Sequence, residues 1–144
     1  MSYRAIIILL SICIGNCASY ARAPNGDFEF GEVLGRYFGS IIYIDELSKS
    51  SCPSSILKDL KVPDIEAEKK SILGSVPRRH RAEVREFLDS ELWEAKIRYD
   101  AREVFSMLEQ QAFEHEFVSI CQRLKMLYTD ENESARASFY RMSQ

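Results

Sequence analysis

Apolar residues recur at helical spacing along most of the chain, and this pattern constrains the fold more than any other feature. Residues 28–47 carry apolar side chains three or four positions apart, and a wider apolar stripe follows over residues 84–127. No alternating strand pattern longer than a few residues appears in the sequence. The sequence therefore predicts an all-α protein, built as a small bundle of four to five helices.

Two polar segments predict where the later helices are interrupted. Asp100 is followed three positions later by Glu103, which is the spacing of a capping box, so we expect a break or kink near Tyr99. Residues 130–132, Asp-Glu-Asn, are expected to form a loop, with a final short helix over residues 133–142.

Residues 1–23 are typical of a secretory signal peptide. They contain one early charge at Arg4, an apolar run over residues 5–14, and small residues ending at Ala23. The apolar run is about half of the ~20 residues that a membrane-spanning helix needs. We expect cleavage at the end of this segment, and export of residues 24–144 to the periplasm or the extracellular space as a single helical domain.

A lipid anchor is the alternative to plain cleavage. Residues 14–17, Ile-Gly-Asn-Cys, resemble a bacterial lipobox in which Cys17 would be acylated. Asn16 stands where that pattern has a small residue, so plain cleavage is the preferred interpretation.

The exported domain is acidic, which bears on its partners. Cleavage removes Arg4 and Arg22 and leaves 17 basic against 22 acidic residues, a formal charge of −5. This charge disfavours nucleic acid and anionic membrane surfaces as partners. Glu29, Glu32 and Arg36 interrupt the first apolar helix, so no transmembrane helix is expected after cleavage.

Two cysteines stay in the exported domain. Cys13 and Cys17 leave with the signal peptide, while Cys52 and Cys121 remain as an even pair in a compartment that permits oxidation. We expect a disulfide between Cys52 and Cys121. Two buried, reduced thiols are the alternative.

Three glycines, Gly31, Gly35 and Gly39, recur at every fourth position on one face of the first helix. Each costs ~1 kcal/mol relative to alanine in a helix interior, so we expect close packing against this face to compensate. The neighbour is either another helix of the same chain, such as the one over residues 104–124, or a partner protein that docks in the groove.

A basic cluster, Arg78-Arg79-His80-Arg81, interrupts this acidic chain at a helix start. Arg78, Arg79 and Arg81 are candidates for contact with an anion or an acidic partner. The alternative is a solvated face balanced by Glu83.

A single histidine, His115, lies among the carboxylates of Glu109, Glu114 and Glu116. No second metal ligand lies three or four positions from His115, so no metal site is predicted. An exposed charged face is the preferred interpretation, although two carboxylates could still act as an acid/base pair. The sequence contains no nucleophile elbow and no phosphate-binding glycine loop, and no cofactor is expected.

One segment resembles a known family. Residues 35–39, Gly-Arg-Tyr-Phe-Gly, followed by Cys52-Pro53, resemble the Gly-Tyr-x-x-Gly and later Cys arrangement of small periplasmic immunity proteins that neutralise secreted cell-wall amidases. The spacing from Tyr37 to Gly39 is one residue short of that pattern, and the helix after Asp100 has no counterpart in that family. No site residue is carried over from this resemblance.

These observations lead to three functional hypotheses. The first is a secreted or periplasmic protein-binding module that acts by surface complementarity, as an inhibitor, an immunity protein or a secretion accessory. The second is a small secreted hydrolase that uses paired carboxylates. The third is a stress-responsive periplasmic chaperone. The partner of the first is expected to be another protein, and the sequence does not indicate the oligomeric state.

Overall fold

The structure is a computed structural model that describes residues 27–144, and within them it contains six α-helices and no strand. The helices are α1 (Asp27–Ser48), α2 (Ser54–Leu57), α3 (Ile65–Ser75), α4 (Arg81–Leu88), α5 (Glu91–Gln111) and α6 (Glu114–Met142), with a 3₁₀ turn at Arg78–His80. The all-α prediction is confirmed. The predicted signal peptide and Cys17 lie outside the described residues.

Helix α1 is the centre of the bundle, because every residue over 37–47 is buried. Helix α6 runs antiparallel to it: Arg36 pairs with Glu131, whereas Tyr43, further along α1, contacts the earlier Tyr128. Helix α5 packs on another side of α1. Among the described residues, no helix combines the length and the apolar character needed to cross a bilayer.

Aromatic side chains hold the three long helices together. Phe38 of α1 stacks on Trp93 of α5 with ring centroids 5.5 Å apart, and Phe87 of α4 lies 4.5 Å from Trp93. On the other side of α1, the Tyr37 ring lies 5.6 Å from that of Phe139 in α6. Burial of each such side chain contributes roughly 1.5–3 kcal/mol to folding.

A disulfide joins Cys52 to Cys121, with a Cα–Cα distance of 5.8 Å. It links the loop that follows α1 to the first half of α6. The predicted pairing is confirmed. A disulfide is compatible with an oxidising, exported compartment.

Helix α5 continues through Tyr99, so the expected break there is wrong. Asp100 caps nothing; its carboxylate accepts a hydrogen bond from Lys96 Nζ at 2.9 Å, one turn earlier in the same helix. The chain reverses instead between α5 and α6, where Glu116 Oε2 accepts the Phe113 N–H at 3.3 Å.

The expected loop at residues 130–132 is also wrong, because α6 runs unbroken for 29 residues. Two of these polar side chains have partners on α1. Arg36 Nη2 donates to Glu131 Oε1 at 2.7 Å, and Asn132 Nδ2 donates to Ser40 Oγ at 2.9 Å. The described residues contain six helices, more than the four to five expected. One of them, α2, is a single turn, and α4 and α5 are separate helices because Ser90 caps the start of α5.

Candidate functional site

The least expected feature of the core is a pair of consecutive carboxylates, Asp45 and Glu46, on the buried part of α1. Glu46 is 3% exposed and Asp45 is 9% exposed. Both belong to a set of ionised side chains that we call the charge cluster. Its members are Asp45 and Glu46 of α1, Lys49 directly after α1, Glu94, Arg98 and Arg102 of α5, and Lys69 of α3.

Arg98 is the centre of the charge cluster. Its Nη1 donates to Asp45 Oδ2 at 2.5 Å and to Glu46 Oε1 at 2.6 Å, and its Nη2 donates to Glu94 Oε1 at 2.8 Å. Arg102 reaches the same glutamate from the next turn, with Nε 2.6 Å from Glu46 Oε2. Charge-assisted hydrogen bonds of this kind are what allow carboxylates to stay ionised in a core.

The charge cluster keeps both carboxylates ionised. Burial acts to raise the pKa of Asp45, but hydrogen bonds from Lys49 and Arg98 outweigh it and lower that pKa. Burial likewise acts to raise the pKa of Glu46, and hydrogen bonds from Arg102 and Arg98 lower it. A general acid needs a raised pKa, so this pair is unsuited to that role.

The two halves of the charge cluster each leave a signal in the sequence, although neither was among the predicted site residues. Asp45 and Glu46 interrupt an otherwise apolar run, and Arg98 and Arg102 are four residues apart on one helix, with Glu94 four residues before Arg98. Sequence spacing alone cannot show that these two sets meet.

The outer side of α5 exposes apolar side chains. Leu92 is 84% exposed and Tyr99 is 62% exposed, with the exposed Ala95 between them. Their spacing of three and four residues places them on one side of the helix. We call these three residues the α5 face.

Two of the three glycines of α1, Gly35 and Gly39, are not packed as closely as expected. A Cβ atom placed on Gly39 would lie 3.8 Å from Ile97 Cδ1 of α5, an ordinary van der Waals contact, and one placed on Gly35 would meet nothing within 4 Å. The geometry therefore leaves room for a methyl group at both positions. The neighbour at Gly39 is Ile97, which lies before the expected segment of residues 104–124. Gly31 is half-buried. A docking role for this face stays a prediction.

The basic cluster divides into two parts. Arg81 Nε donates to the Val76 carbonyl at 3.0 Å and Nη2 to the Gly74 carbonyl at 3.4 Å, so this side chain satisfies carbonyl groups at the carboxyl end of α3. Arg78 and Arg79 are exposed. An anion contact at these two residues stays a prediction.

His115 and the three glutamates near it, Glu109, Glu114 and Glu116, are all exposed. The His115 ring stacks on Phe113 at 6.3 Å. Within residues 27–144, no group of three or more histidine, cysteine or acidic side chains is placed to hold a metal ion.

Together these features define a class: a disulfide-linked, all-α domain whose central helix is ion-paired to α5 and is followed by a loop that a disulfide joins to α6. No protein-family model, curated protein or solved structure matches the chain. The resemblance to immunity proteins, which spans about residues 35–88, therefore rests on the motif at residues 35–39 and Cys52-Pro53 alone.

Proposed function

We propose that this protein is an exported helical module that binds another protein by surface complementarity, as an inhibitor, an immunity protein or a secretion accessory does. The α5 face is the observation that carries the proposal. Leu92 and Tyr99 stand in solvent although the opposite side of α5 buries Ile97, Phe105 and Leu108. Contiguous exposed apolar residues are typical of interaction sites.

The charges beside the α5 face favour a protein partner over a polyanion. On one edge, Lys96 pairs with Asp100 at 2.9 Å. On the other edge, Arg98 and Arg102 pair with carboxylates of the charge cluster. Because these cations already have partners within the chain, and the exposed Glu103 lies one turn after Tyr99, the α5 face does not favour a polyanion. A protein with a complementary apolar surface matches its apolar side chains.

The disulfide supports the part of this proposal that places the protein in an oxidising compartment outside the cytoplasm. Cys52 and Cys121 are both buried and bonded, as in proteins that fold under oxidising conditions. Export itself rests on the sequence of residues 1–23.

A photo-reactive amino acid at position 99 tests the proposal in the exported fraction of the native host. We expect it to cross-link to one other protein, which mass spectrometry would identify. With that partner purified, Leu92→Ser/Tyr99→Ser should raise the Kd about tenfold or more, because apolar anchors carry much of the binding energy of an interface.

Met126→Ser is the matched control, because Met126 is 65% exposed but lies on α6, away from the α5 face. It should leave the Kd unchanged. The proposal fails if position 99 cross-links to a second copy of this chain alone, or if the two variants weaken binding equally.

A further inference from the structure

Helix α1 is held to its two long neighbours by contacts of different chemistry. Toward α6, the contacts are largely aromatic, as between Tyr43 and Tyr128 with ring centroids 5.1 Å apart, and the Cys52–Cys121 disulfide adds a covalent link. Toward α5, part of the contact consists of the ion pairs of the charge cluster. Acid can protonate the carboxylates between α1 and α5, but it does not change the aromatic contacts or the disulfide between α1 and α6.

We propose that acid opens the contact between α1 and α5 while α1 and α6 stay together, so that the charge cluster acts as an acid-operated latch. The latch needs no partner, so it goes beyond the proposed function and does not depend on it.

The balance of charges explains why acid would open it. The charge cluster holds three carboxylates, on Asp45, Glu46 and Glu94, and all three bond to Arg98. Carboxylates take up protons below about pH 4, whereas arginine and lysine stay charged. Arg98 then keeps its charge and loses its partners. The Arg98 side chain is only 19% exposed, so an unpaired charge there is poorly hydrated while the contact is closed, and separation of α5 from α1 lets water reach it.

The charged groups of α3 and α6 near the cluster favour its opening in acid or do not oppose it. Lys69 of α3, whose Nζ lies 3.6 Å from Glu94 and 3.2 Å from Glu66, adds a further positive charge to the cluster. On the α6 side, Glu131 pairs with Arg36, whose side chain is 38% exposed. Arg36 can therefore be hydrated in place when that pair is lost. The cations that remain around the opened contact are Lys49, Lys69, Arg98 and Arg102.

The lowered pKa of Asp45 and Glu46 sets the pH range of the latch. Burial opposes that lowering, and the hydrogen bonds from Lys49, Arg98 and Arg102 exceed it. A carboxylate with a lowered pKa in the folded state stabilises the fold fully above its unfolded pKa, and the contribution is lost as the pH falls through the folded pKa. The latch therefore stays closed at neutral pH and opens below about pH 4.

Opening would expose the aromatic side chains between α1 and α5. Phe38 and Trp93 stack across this contact, and Trp93 is the single tryptophan of the chain. Its fluorescence therefore reports on the latch directly.

The experiment titrates the oxidised protein from pH 7 to pH 2. We expect the Trp93 emission to shift to longer wavelength and a dye that binds apolar surface to bind, with the far-ultraviolet circular dichroism of the helices largely retained. Return to pH 7 should reverse all three signals.

Two variants of the charge cluster should move the pH of the fluorescence transition in opposite directions. Glu46→Leu/Arg98→Leu removes the central cation together with a carboxylate, and should move the fluorescence transition to lower pH or abolish it. Glu46→Gln leaves Arg98 and Arg102 short of a carboxylate at every pH, and should move the transition to higher pH. This second shift can be measured even if the double variant does not fold.

Arg36→Gln/Glu131→Gln is the matched control, because it removes an ion pair between α1 and α6 and should leave the transition at the wild-type pH. Three results would overturn the proposal. They are an unchanged Trp93 emission down to pH 2, a loss of helical signal together with the fluorescence change, and a wild-type midpoint in both cluster variants.

Discussion

Tyr37 shows at the scale of one residue how a polar group is kept in this core. Its ring is fully buried, and its hydroxyl donates a hydrogen bond to Glu68 Oε2 of α3 at 2.6 Å. Burial, and then this hydrogen bond to a carboxylate, raise the pKa of Tyr37. The phenol is thus kept protonated, and α3 is tied to the central helix.

The raised pKa has a consequence in alkali. A tyrosine whose pKa is raised by folding stabilises the fold fully below its unfolded pKa of about 10, and the contribution is lost as the pH rises above that value. Tyr37→Phe should cost about 1 kcal/mol at pH 7, since one hydrogen bond is lost. It should also lose less stability than the wild type between pH 9 and pH 11. Urea denaturation at several pH values measures both effects.

Tyr99→Phe is the control for this prediction, because Tyr99 is exposed on α5. Its stability should follow the wild-type curve throughout. An equal alkaline loss of stability in Tyr37→Phe and in the wild type would contradict the role of Tyr37.

At the scale of a helix, substitutions of the α1 glycines show whether helix propensity or side-chain packing decides the stability of α1. Gly35 has room for a methyl group, so Gly35→Ala should raise the free energy of unfolding by up to about 1 kcal/mol through helix propensity. Gly39→Ala should also stabilise, because its Cβ would meet Ile97 at an ordinary contact distance. Thermal and urea denaturation measure these changes.

A destabilised Gly35→Ala variant would show that α1 cannot accept the added group where the geometry has space for it. If the variants are stabilised and lose affinity for the partner identified by cross-linking, the glycine face belongs to the interface.

The short-range spacing of apolar residues was sufficient for the fold class and for the helix over residues 28–47, which the structure has as α1. The expected loop at residues 130–132 failed because distant contacts decide the structure there. Residues 130–132 have the composition of a loop but stay helical, since Arg36 and Ser40 of α1 provide partners for their side chains.

The same reason explains what was missed at the candidate site. Arg98 lies 53 residues from Asp45 and 52 from Glu46, and nothing local to either carboxylate indicates that an arginine would reach it. The disulfide could be predicted because residues 24–144 contain only two cysteines, so only one pairing within them is possible.

At the scale of the whole molecule, the disulfide restricts the unfolded chain. Cys52 and Cys121 are 69 residues apart, for which loop-closure entropy gives a stabilisation of about 4 kcal/mol. Cys52→Ala/Cys121→Ala should lower the free energy of unfolding by about that amount. Urea denaturation of the variant and of wild-type protein in a phosphine reductant provides the measurement.

The reduced wild type is the matched control, because it breaks the bond without removing any side chain. The variant and the reduced protein should unfold at similar urea concentrations, both lower than for the oxidised protein. Equal midpoints for oxidised and reduced wild type would contradict the predicted stabilisation.

The antiparallel arrangement of α1 and α6 also determines how the molecule would respond to force. Phe30, near the start of α1, lies 5.7 Å from Phe139, near the end of α6, whereas the disulfide lies at the opposite end of this pair of helices. A pull between the start of α1 and the end of α6 would load their contacts one after another, as a zipper opens, and such a geometry yields at low force. The separation would stop at the Cys52–Cys121 bond. The end of the bundle at Phe30 and Phe139 therefore separates at low force, and at the opposite end the disulfide limits how far the chain can extend.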